Sequence, residues 1–147
     1  IESLPFLETI RQVRKDLGKE NTLFVHVTLV PTGGPWSEIK TKPTQHSVIN
    51  LRQIGISPDV LICRCEEDLP EDVKEKISLF CDVPQEAVIE SRTAETIYEV
   101  PLMYEATGLG ELVCRRLGLE NLKADLSEWE EIVKVIKNPT HECTVQK

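Results

Sequence analysis

Apolar residues recur along the chain in two patterns, one typical of helices and one typical of buried strands. Residues 2–18 repeat apolar side chains at the three- and four-residue spacing of one helix face: Leu4, Leu7, Ile10, Val13 and Leu17. Residues 22–30, TLFVHVTLV, are instead apolar and β-branched at nearly every position. Such a run predicts a strand that is buried on both faces of a parallel sheet.

The rest of the chain continues this alternation. Further helices are predicted over residues 44–54, 70–80, 109–117 and 126–136, and further strands over residues 60–63 and 88–90, with a mixed stretch at 97–105. Strands that alternate with helices of this length indicate right-handed crossovers between parallel neighbours. The expected fold class is therefore α/β, a parallel sheet with helices on both faces.

Composition and charge narrow the class of protein. The 147 residues are 40% apolar and 29% charged, as in a soluble globular domain. No apolar run approaches the roughly 20 residues that cross a bilayer, and no signal pattern opens the sequence, so we expect a cytoplasmic protein without a membrane partner. The net charge of −8 argues against nucleic acid as a partner, because nonspecific binding needs broad positive surface.

The five cysteines do not predict a metal site. Cys63 and Cys65 are one residue apart in a predicted strand, so both point to the same face, and no Cys-X-X-Cys pair occurs. The histidines (His26, His46 and His141) are scattered. We therefore expect no metal ligands, inert buried thiols and an exposed Cys143, with His26 a hydrogen-bonded core residue rather than a catalytic one.

The most informative segment is KTKPTQ at residues 40–45, which follows a Gly/Pro-rich loop at residues 31–39. Lys40 and Lys42 place two ammonium groups close together, and these repel each other unless an anion lies between them. A helix start behind them adds N–H donors and a favourable dipole end for that anion. The segment predicts a site for a phosphate-bearing ligand; the alternative is a solvated Lys-X-Lys pair on an exposed loop.

Other candidate residues depend on the expected sheet, since ligands of such sheets bind beyond the carboxyl ends of the strands. The lysine segment follows the first strand, and Arg92, Thr93 and Ala94 follow the third. Lys76 lies inside a helix, and by itself reads as a solvated charge. Neither a GxxxxGK[ST] loop, a GxGxxG loop, a nucleophile set nor a magnesium-binding acid pair is encoded, so no catalytic or metal-ligating residue is predicted.

Seven blocks of the chain, in order, resemble the CTP synthase family: IESLPFLETIRQ, TLFVHVTLVP, KTKPTQHSV, LRQIGISPDVLICR, KEKISLFCDVP, residues 97–101 and LSEWE. They cover nearly the whole chain and match the second half of the family's synthetase (amidoligase) domain. The resemblance implies a P-loop, dethiobiotin-synthetase-like three-layer architecture, present as a partial domain. Residues 1–137 would form its C-terminal part, and residues 138–147 would begin the linker to the glutaminase domain.

The resemblance also implies an activity. The family makes CTP from UTP, ATP and glutamine or ammonia through a 4-phosphorylated UTP intermediate, requires Mg²⁺, is inhibited by CTP and forms a homotetramer. Its P-loop and principal magnesium-binding acids lie before residue 1, and its glutaminase triad lies after residue 147. The chain is thus expected to be a fragment of an ATP-dependent amidoligase and to be inactive by itself.

Site residues are implied only where the blocks match. The implied contacts with UTP and CTP are Ile1, Glu2, Lys40, Thr41, Lys42, Pro43, Thr44, Gln45 and Lys76. For Lys76 the resemblance replaces the interpretation, based on spacing alone, that this lysine is a solvated charge on a helix. The ATP adenine contacts fall on Arg92, Thr93 and Ala94, where relatives often carry a basic-Asp-Val pattern, so the implied contacts are those of the backbone. Phe80 lies either near the nucleotide or in the core. Trp36 and Trp129 are expected to be structural.

Two other classes of function stay open at this point. One is a stand-alone regulatory module that senses a nucleotide without catalysis, and the other is a structural α/β domain with a decorated loop. The nucleotide interpretation depends on Lys40, Lys42 and Lys76 converging on one hollow.

Overall fold

The computed structural model of this chain describes residues 2–35, 38–119 and 124–140. Within these ranges the strands are β1 (Val25–Leu29), β2 (Thr32–Gly33), β3 (Glu38–Ile39), β4 (Val60–Cys65) and β5 (Val88–Arg92). The helices are α1 (Leu4–Leu17), α2 (Lys42–Gln53), α3 (Glu71–Cys81), α4 (Val100–Ala106), α5 (Leu109–Arg116) and α6 (Ser127–Lys137). Four residues named above, Ile1, Trp36, His141 and Cys143, lie outside the described residues, as does the predicted linker beyond residue 140.

The main sheet has the strand order β1-β4-β5, and both strand pairs are parallel. Its register places Val27 opposite Ile62, and Ile62 opposite Ile89. The segment predicted to be a loop at residues 31–39 instead contains the short antiparallel pair of β2 and β3. The predicted parallel α/β sheet is confirmed.

Helices cover both faces of this sheet. Helices α2 and α3 pack on one face around a core that includes Val48, Leu61, Cys63, Ile77 and Cys81. On the other face, a second cluster joins strands β4 and β5 to α4 and α5: Val60, Ile62, Ala87, Ile89 and Leu112, with Tyr104 and Leu109 against it. The expected arrangement of helices on both faces is therefore confirmed. The cysteines Cys63, Cys65 and Cys81 are buried, as predicted for inert thiols.

The first strand differs from the prediction of burial on both faces. Val25, Val27 and Leu29 are 43%, 56% and 59% exposed. Their side chains share the face of Val60 and Ile62, but α4 and α5 cover that face only over β4 and β5. The alternate residues His26 and Thr28 face α2 instead, where they hydrogen-bond to its side chains. Strand β1 is thus covered on one face by the described residues.

Helix α1 is held at the amino ends of the strands by a group centred on Arg14. Its guanidinium pairs with Asp59, donates to the Thr22 carbonyl oxygen at 3.1 Å and lies 3.6 Å from the centre of the Phe24 ring. Asp59 also accepts a 2.8 Å hydrogen bond from the Phe24 N–H. This group leaves the opposite ends of β1, β4 and β5 for ligands.

The remaining predictions differ from the structure mainly at their boundaries. Helix α2 begins at Lys42, two residues before the predicted start, because Pro43 occupies its second position and suits a first turn. The mixed stretch at residues 97–105 divides into a 3₁₀ turn, Ile97–Glu99, and the helix α4. None of the helices in the described ranges has both the length and the apolar character that a membrane span requires.

Candidate functional site

Lys40 and Lys42 flank the junction between β3 and α2. The Lys40 N–H donates a 2.8 Å hydrogen bond to the Pro31 carbonyl oxygen, which fixes the chain as it leaves the β2–β3 pair. Lys42 is the first residue of α2, and both lysines are exposed. The Thr41 side chain makes no capping hydrogen bond to the helix, and Pro43, in its first turn, carries no backbone N–H.

The other residues of the motif have different positions. Thr44 is fully buried, and its hydroxyl bonds to Thr28 and to the Leu29 carbonyl oxygen. Thr41 is also buried and accepts a 3.2 Å hydrogen bond from the Gln45 side-chain amide. Threonine side chains therefore anchor the motif in the fold, whereas the lysines, Pro43 and part of Gln45 face solvent. Pro43 is exposed on the first turn.

Lys40 and Lys76 act on the same carboxylate. Lys40 pairs with Glu38, and this hydrogen bond and charge lower the pKa of the Glu38 carboxyl below its usual range. The charge of Lys76, on α3, lowers that pKa further. Lys76 is exposed on α3, and its convergence with Lys40 and Lys42 stays a prediction.

The lysines differ in their own partners. Within the described ranges neither Lys42 nor Lys76 forms an ion pair, whereas Lys74, two residues before Lys76, pairs with Glu71 at 3.3 Å. Phe80 lies one helical turn after Lys76 on the same face and is 54% exposed, so the alternative of core packing is wrong. Lys76 and Phe80 thus expose a cation and an aromatic ring on one face of α3.

Ile1 and Glu2 are the first of the predicted contact residues, and only Glu2 lies within the described residues. Glu2 is exposed in the turn before α1, and it makes no hydrogen bond or ion pair with Lys40, Lys42 or Lys76 in the part of the chain that the structure describes. Ile1 lies outside the described residues. The structure therefore places Lys40 and Lys42 at the β3–α2 junction and Lys76 on α3, and it leaves their joint role, like the contribution of residues 1–2, as a prediction.

A second candidate site is a cavity of about 270 Å³ at the carboxyl ends of β4 and β5. The predicted residues Arg92, Thr93 and Ala94 all line it. The Thr93 N–H donates to the Cys65 carbonyl oxygen at 3.2 Å, which continues the pairing of β5 with β4 by one residue. Sequence reasoning missed further lining residues: Arg64, Ser91, Ile97, Val100 and Tyr104.

The two arginines of this cavity have different roles. Arg92 is held by Asp68 at 2.6 Å and by Glu90 at 3.2 Å, so its charge is already paired. Arg64 is exposed near the end of β4 and pairs with no carboxylate among the described residues. A guanidinium plane next to the apolar side chains of Ile97 and Val100 suits a flat aromatic base. Arg64 could have been identified from the sequence, because it is a cation at the end of a strand that is predicted to be buried.

A larger cavity, His26 and the described acidic and thiol side chains do not add a further candidate site. A cavity of about 580 Å³ beside β5 is bordered by Glu71, Glu86, Glu90 and one lysine, Lys74, and so disfavours an anion. His26 is half-buried and lies 2.7 Å from the Ser47 hydroxyl, and burial lowers its pKa, which agrees with a structural histidine. Among the described residues no group of three His, Cys, Asp or Glu side chains could hold a metal ion.

Comparison with known proteins shows which family this chain belongs to. The family model described as CTP synthase N-terminus matches residues 1–119. A CTP synthase of Ruminiclostridium cellulolyticum is 59% identical over 145 residues, which cover 99% of this chain. Those of Methanocaldococcus jannaschii and Methanococcus maripaludis are each 57% identical over 99% of the chain. This chain spans 27% of the length of each relative. It belongs to the CTP synthase family, as part of the region that the family model describes as the N-terminus.

Proposed function

We propose that this chain supplies the pyrimidine-nucleotide site of an ATP-dependent amidoligase that makes CTP from UTP. Nitrogen would come from glutamine or ammonia, and UTP phosphorylated on O4 would be the intermediate. CTP would bind the same lysines as a feedback inhibitor. The observation that carries the proposal is the pair of exposed lysines, Lys40 and Lys42, at the β3–α2 junction in a member of this family. Lys76 joins them in the proposal by resemblance.

The lysines suit the charge of the ligand. UTP carries close to four negative charges, and binding it next to ATP requires several cations to offset the repulsion. Lys40, Lys42 and Lys76 act as point-charge partners of the triphosphate, and the α2 N-terminus adds N–H donors. Gln45 and the exposed Pro43 lie at the rim of this surface. None of these groups is a nucleophile, because the attacking atom is the substrate oxygen.

The cavity at Arg92, Thr93 and Ala94 is the proposed place of the ATP adenine. Its apolar wall and the Arg64 guanidinium suit a purine, and its position beyond the strand ends brings ATP to the same edge of the sheet as the lysines. The chain thus contributes orientation and electrostatic stabilisation to the phosphoryl transfer.

By resemblance, magnesium would be held chiefly by other residues. The described residues contain no group of three His, Cys, Asp or Glu side chains that could hold a metal ion. Mg²⁺ next to a nucleotide is commonly held by one or two carboxylates together with phosphates and water, and no step of the proposal passes through the metal. The glutaminase domain of the same polypeptide and a homotetramer in the cytoplasm are further parts of the proposal, which rest on the family alone.

Calorimetric titration of UTP and CTP into the natural polypeptide that carries this chain tests the proposal. Lys42→Ala should weaken both nucleotides about tenfold or more, since a charge-assisted contact contributes roughly 1.5–3 kcal/mol. The matched control is Lys15→Ala, an exposed lysine of α1, which should leave both affinities unchanged. Unchanged binding by Lys42→Ala would refute the assignment of the lysines.

A second assay separates catalysis from sensing. The natural polypeptide should form CTP from UTP, ATP and ammonia, whereas the 147-residue chain alone should form none and bind nucleotides weakly. Tight UTP binding by the isolated chain, without CTP formation by the longer polypeptide, would instead indicate a nucleotide-sensing module.

A further inference from the structure

Helix α6 is attached to the 3₁₀ turn Ile97–Glu99 by two of its side chains. The Trp129 indole N–H donates to the Tyr98 carbonyl oxygen, and the two rings pack with their centres 6.2 Å apart. Lys137 pairs with Glu95 at 3.0 Å and also with Glu99. The helix therefore contacts the segment around residues 95–99 at both its ends, through a hydrogen bond, ring packing and a double ion pair.

The contacted carboxylate also holds the conformation of that segment. The Glu99 side chain accepts hydrogen bonds from the Glu95 N–H at 3.0 Å and from the Thr96 N–H at 3.4 Å. The ammonium of Lys137 lowers the pKa of Glu99 through their hydrogen bond. Lys137 thus acts on the same group that closes the turn.

This segment forms one wall of the cavity at the carboxyl ends of β4 and β5. Ala94 precedes it, Ile97 belongs to it and Val100 follows it, and all three line the cavity. Ile97 is 77% exposed, so burial does little to fix the wall by itself. Restraint has to come from neighbouring elements, and α6 provides it through the contacts of Trp129 and Lys137.

We propose that Trp129 and Lys137 are positioning residues for the nucleotide base bound in this cavity. By holding residues 95–99, α6 fixes the distance between the apolar wall and the Arg64 guanidinium, and so the gap that a flat purine enters. The inference rests on the proposed function, because it takes the ligand of this cavity to be ATP. The two residues touch neither the base nor the reacting atoms.

The test measures the KM of ATP and the KM of UTP separately in the natural polypeptide, with ammonia as nitrogen donor. Trp129→Phe removes the N–H donor but keeps an aromatic ring, and Lys137→Met removes the charge but keeps the length of the chain. Each variant should raise the KM of ATP about threefold to tenfold, the effect of one or two lost polar contacts. The KM of UTP and the kcat at saturating nucleotides should change less than about twofold.

Two further variants separate positioning from a general loss of structure. Lys137→Arg keeps both ion pairs and should retain the wild-type KM of ATP. Lys134→Met removes another exposed lysine of α6, which forms no ion pair among the described residues, and should also leave that KM unchanged. The melting temperature of every variant is recorded alongside.

The possible results are distinct. A KM for ATP that stays at the wild-type value in Trp129→Phe and Lys137→Met overturns the inference. A parallel rise in both KM values together with a lower melting temperature also overturns it, because α6 would then stabilise the whole domain. If the wild-type polypeptide uses neither UTP nor ATP, the proposed function itself fails, before any variant is compared.

Discussion

The hydroxyl of Thr44 donates a 3.0 Å hydrogen bond to the carbonyl oxygen of Leu29, and it ties the first turn of α2 to the end of β1. Thr28 donates to the same hydroxyl at 3.3 Å, so the donor and acceptor capacities of this buried oxygen are both used. The two exposed lysines next to Thr44 are placed by this internal contact. The segment KTKPTQ therefore combines two exposed lysines with a buried side chain that bonds within the fold.

Replacing Thr44 by Val should lower the free energy of unfolding by about 1–3 kcal/mol, because the buried Leu29 carbonyl oxygen and the Thr28 hydroxyl lose their partner without any change of volume. Urea denaturation checks the change. Thr44→Ser keeps the hydroxyl and should cost less than Thr44→Val. If the serine variant is the less stable of the two, packing of the methyl group outweighs the hydrogen bonds.

Local patterns were enough to predict most of the fold, and they failed where long-range neighbours decide burial. The run at residues 22–30 correctly predicted a strand, yet Val27 and Leu29 are largely exposed. Periodicity reports which positions are apolar, but not whether a helix covers them. The β2–β3 pair was missed for a related reason, since two-residue strands have no periodicity to detect.

Local sequence patterns likewise predicted only some residues of the candidate site. Lys40 and Lys42 could be found because they are adjacent to a helix start in the sequence. Lys76 could not be assigned from its spacing, because a lysine on an exposed helix face has the same pattern whether or not it meets a ligand. Only resemblance to a family pointed to it. Trp129 was predicted to be structural, but its contact with Tyr98 beside a cavity was not foreseeable from either pattern.

Two neighbouring lysines of α3 allow a matched comparison. Lys76→Ala should weaken UTP binding about tenfold, because the proposed site loses one ammonium partner of the triphosphate. Lys74→Ala should leave the affinity within about twofold, since Lys74 is paired with Glu71 beside a different cavity. Calorimetry on both variants of the natural polypeptide measures the difference. Equal losses in the two variants would mean that net charge, rather than the position of Lys76, governs binding.

Glu38 is expected to compete with the phosphate groups for Lys40. The Glu38 carboxylate is paired with the Lys40 ammonium, and a triphosphate that binds Lys40 would have to displace it. Glu38→Gln should therefore raise the affinity for UTP about twofold to fivefold, as expected for removing an exposed ion pair. The same titration in high salt should reduce the difference. Weaker UTP binding by Glu38→Gln would show that the carboxylate contacts the ligand favourably.

The Cys63 thiol should make folding sensitive to alkaline pH. Burial, followed by the nearby Cys65 and Cys81, raises its pKa from 9.0 to about 12. Above pH 9.0 the unfolded chain loses a proton that the folded chain retains, so the contribution to stability is complete below that pH and falls as pH rises toward about 12. The expected slope is about −1.4 kcal/mol per pH unit.

Urea denaturation of the chain and of Cys63→Ser, at pH ~8 and pH ~10.5, measures this slope. Serine does not ionise in this range, so the variant should lose less stability between the two pH values, even though its polar hydroxyl lowers stability at both. Other groups that titrate in the same range contribute equally to the chain and to the variant, and they cancel in the difference. An identical loss for both proteins would mean that the folded state admits solvent to Cys63 and lets the thiol ionise.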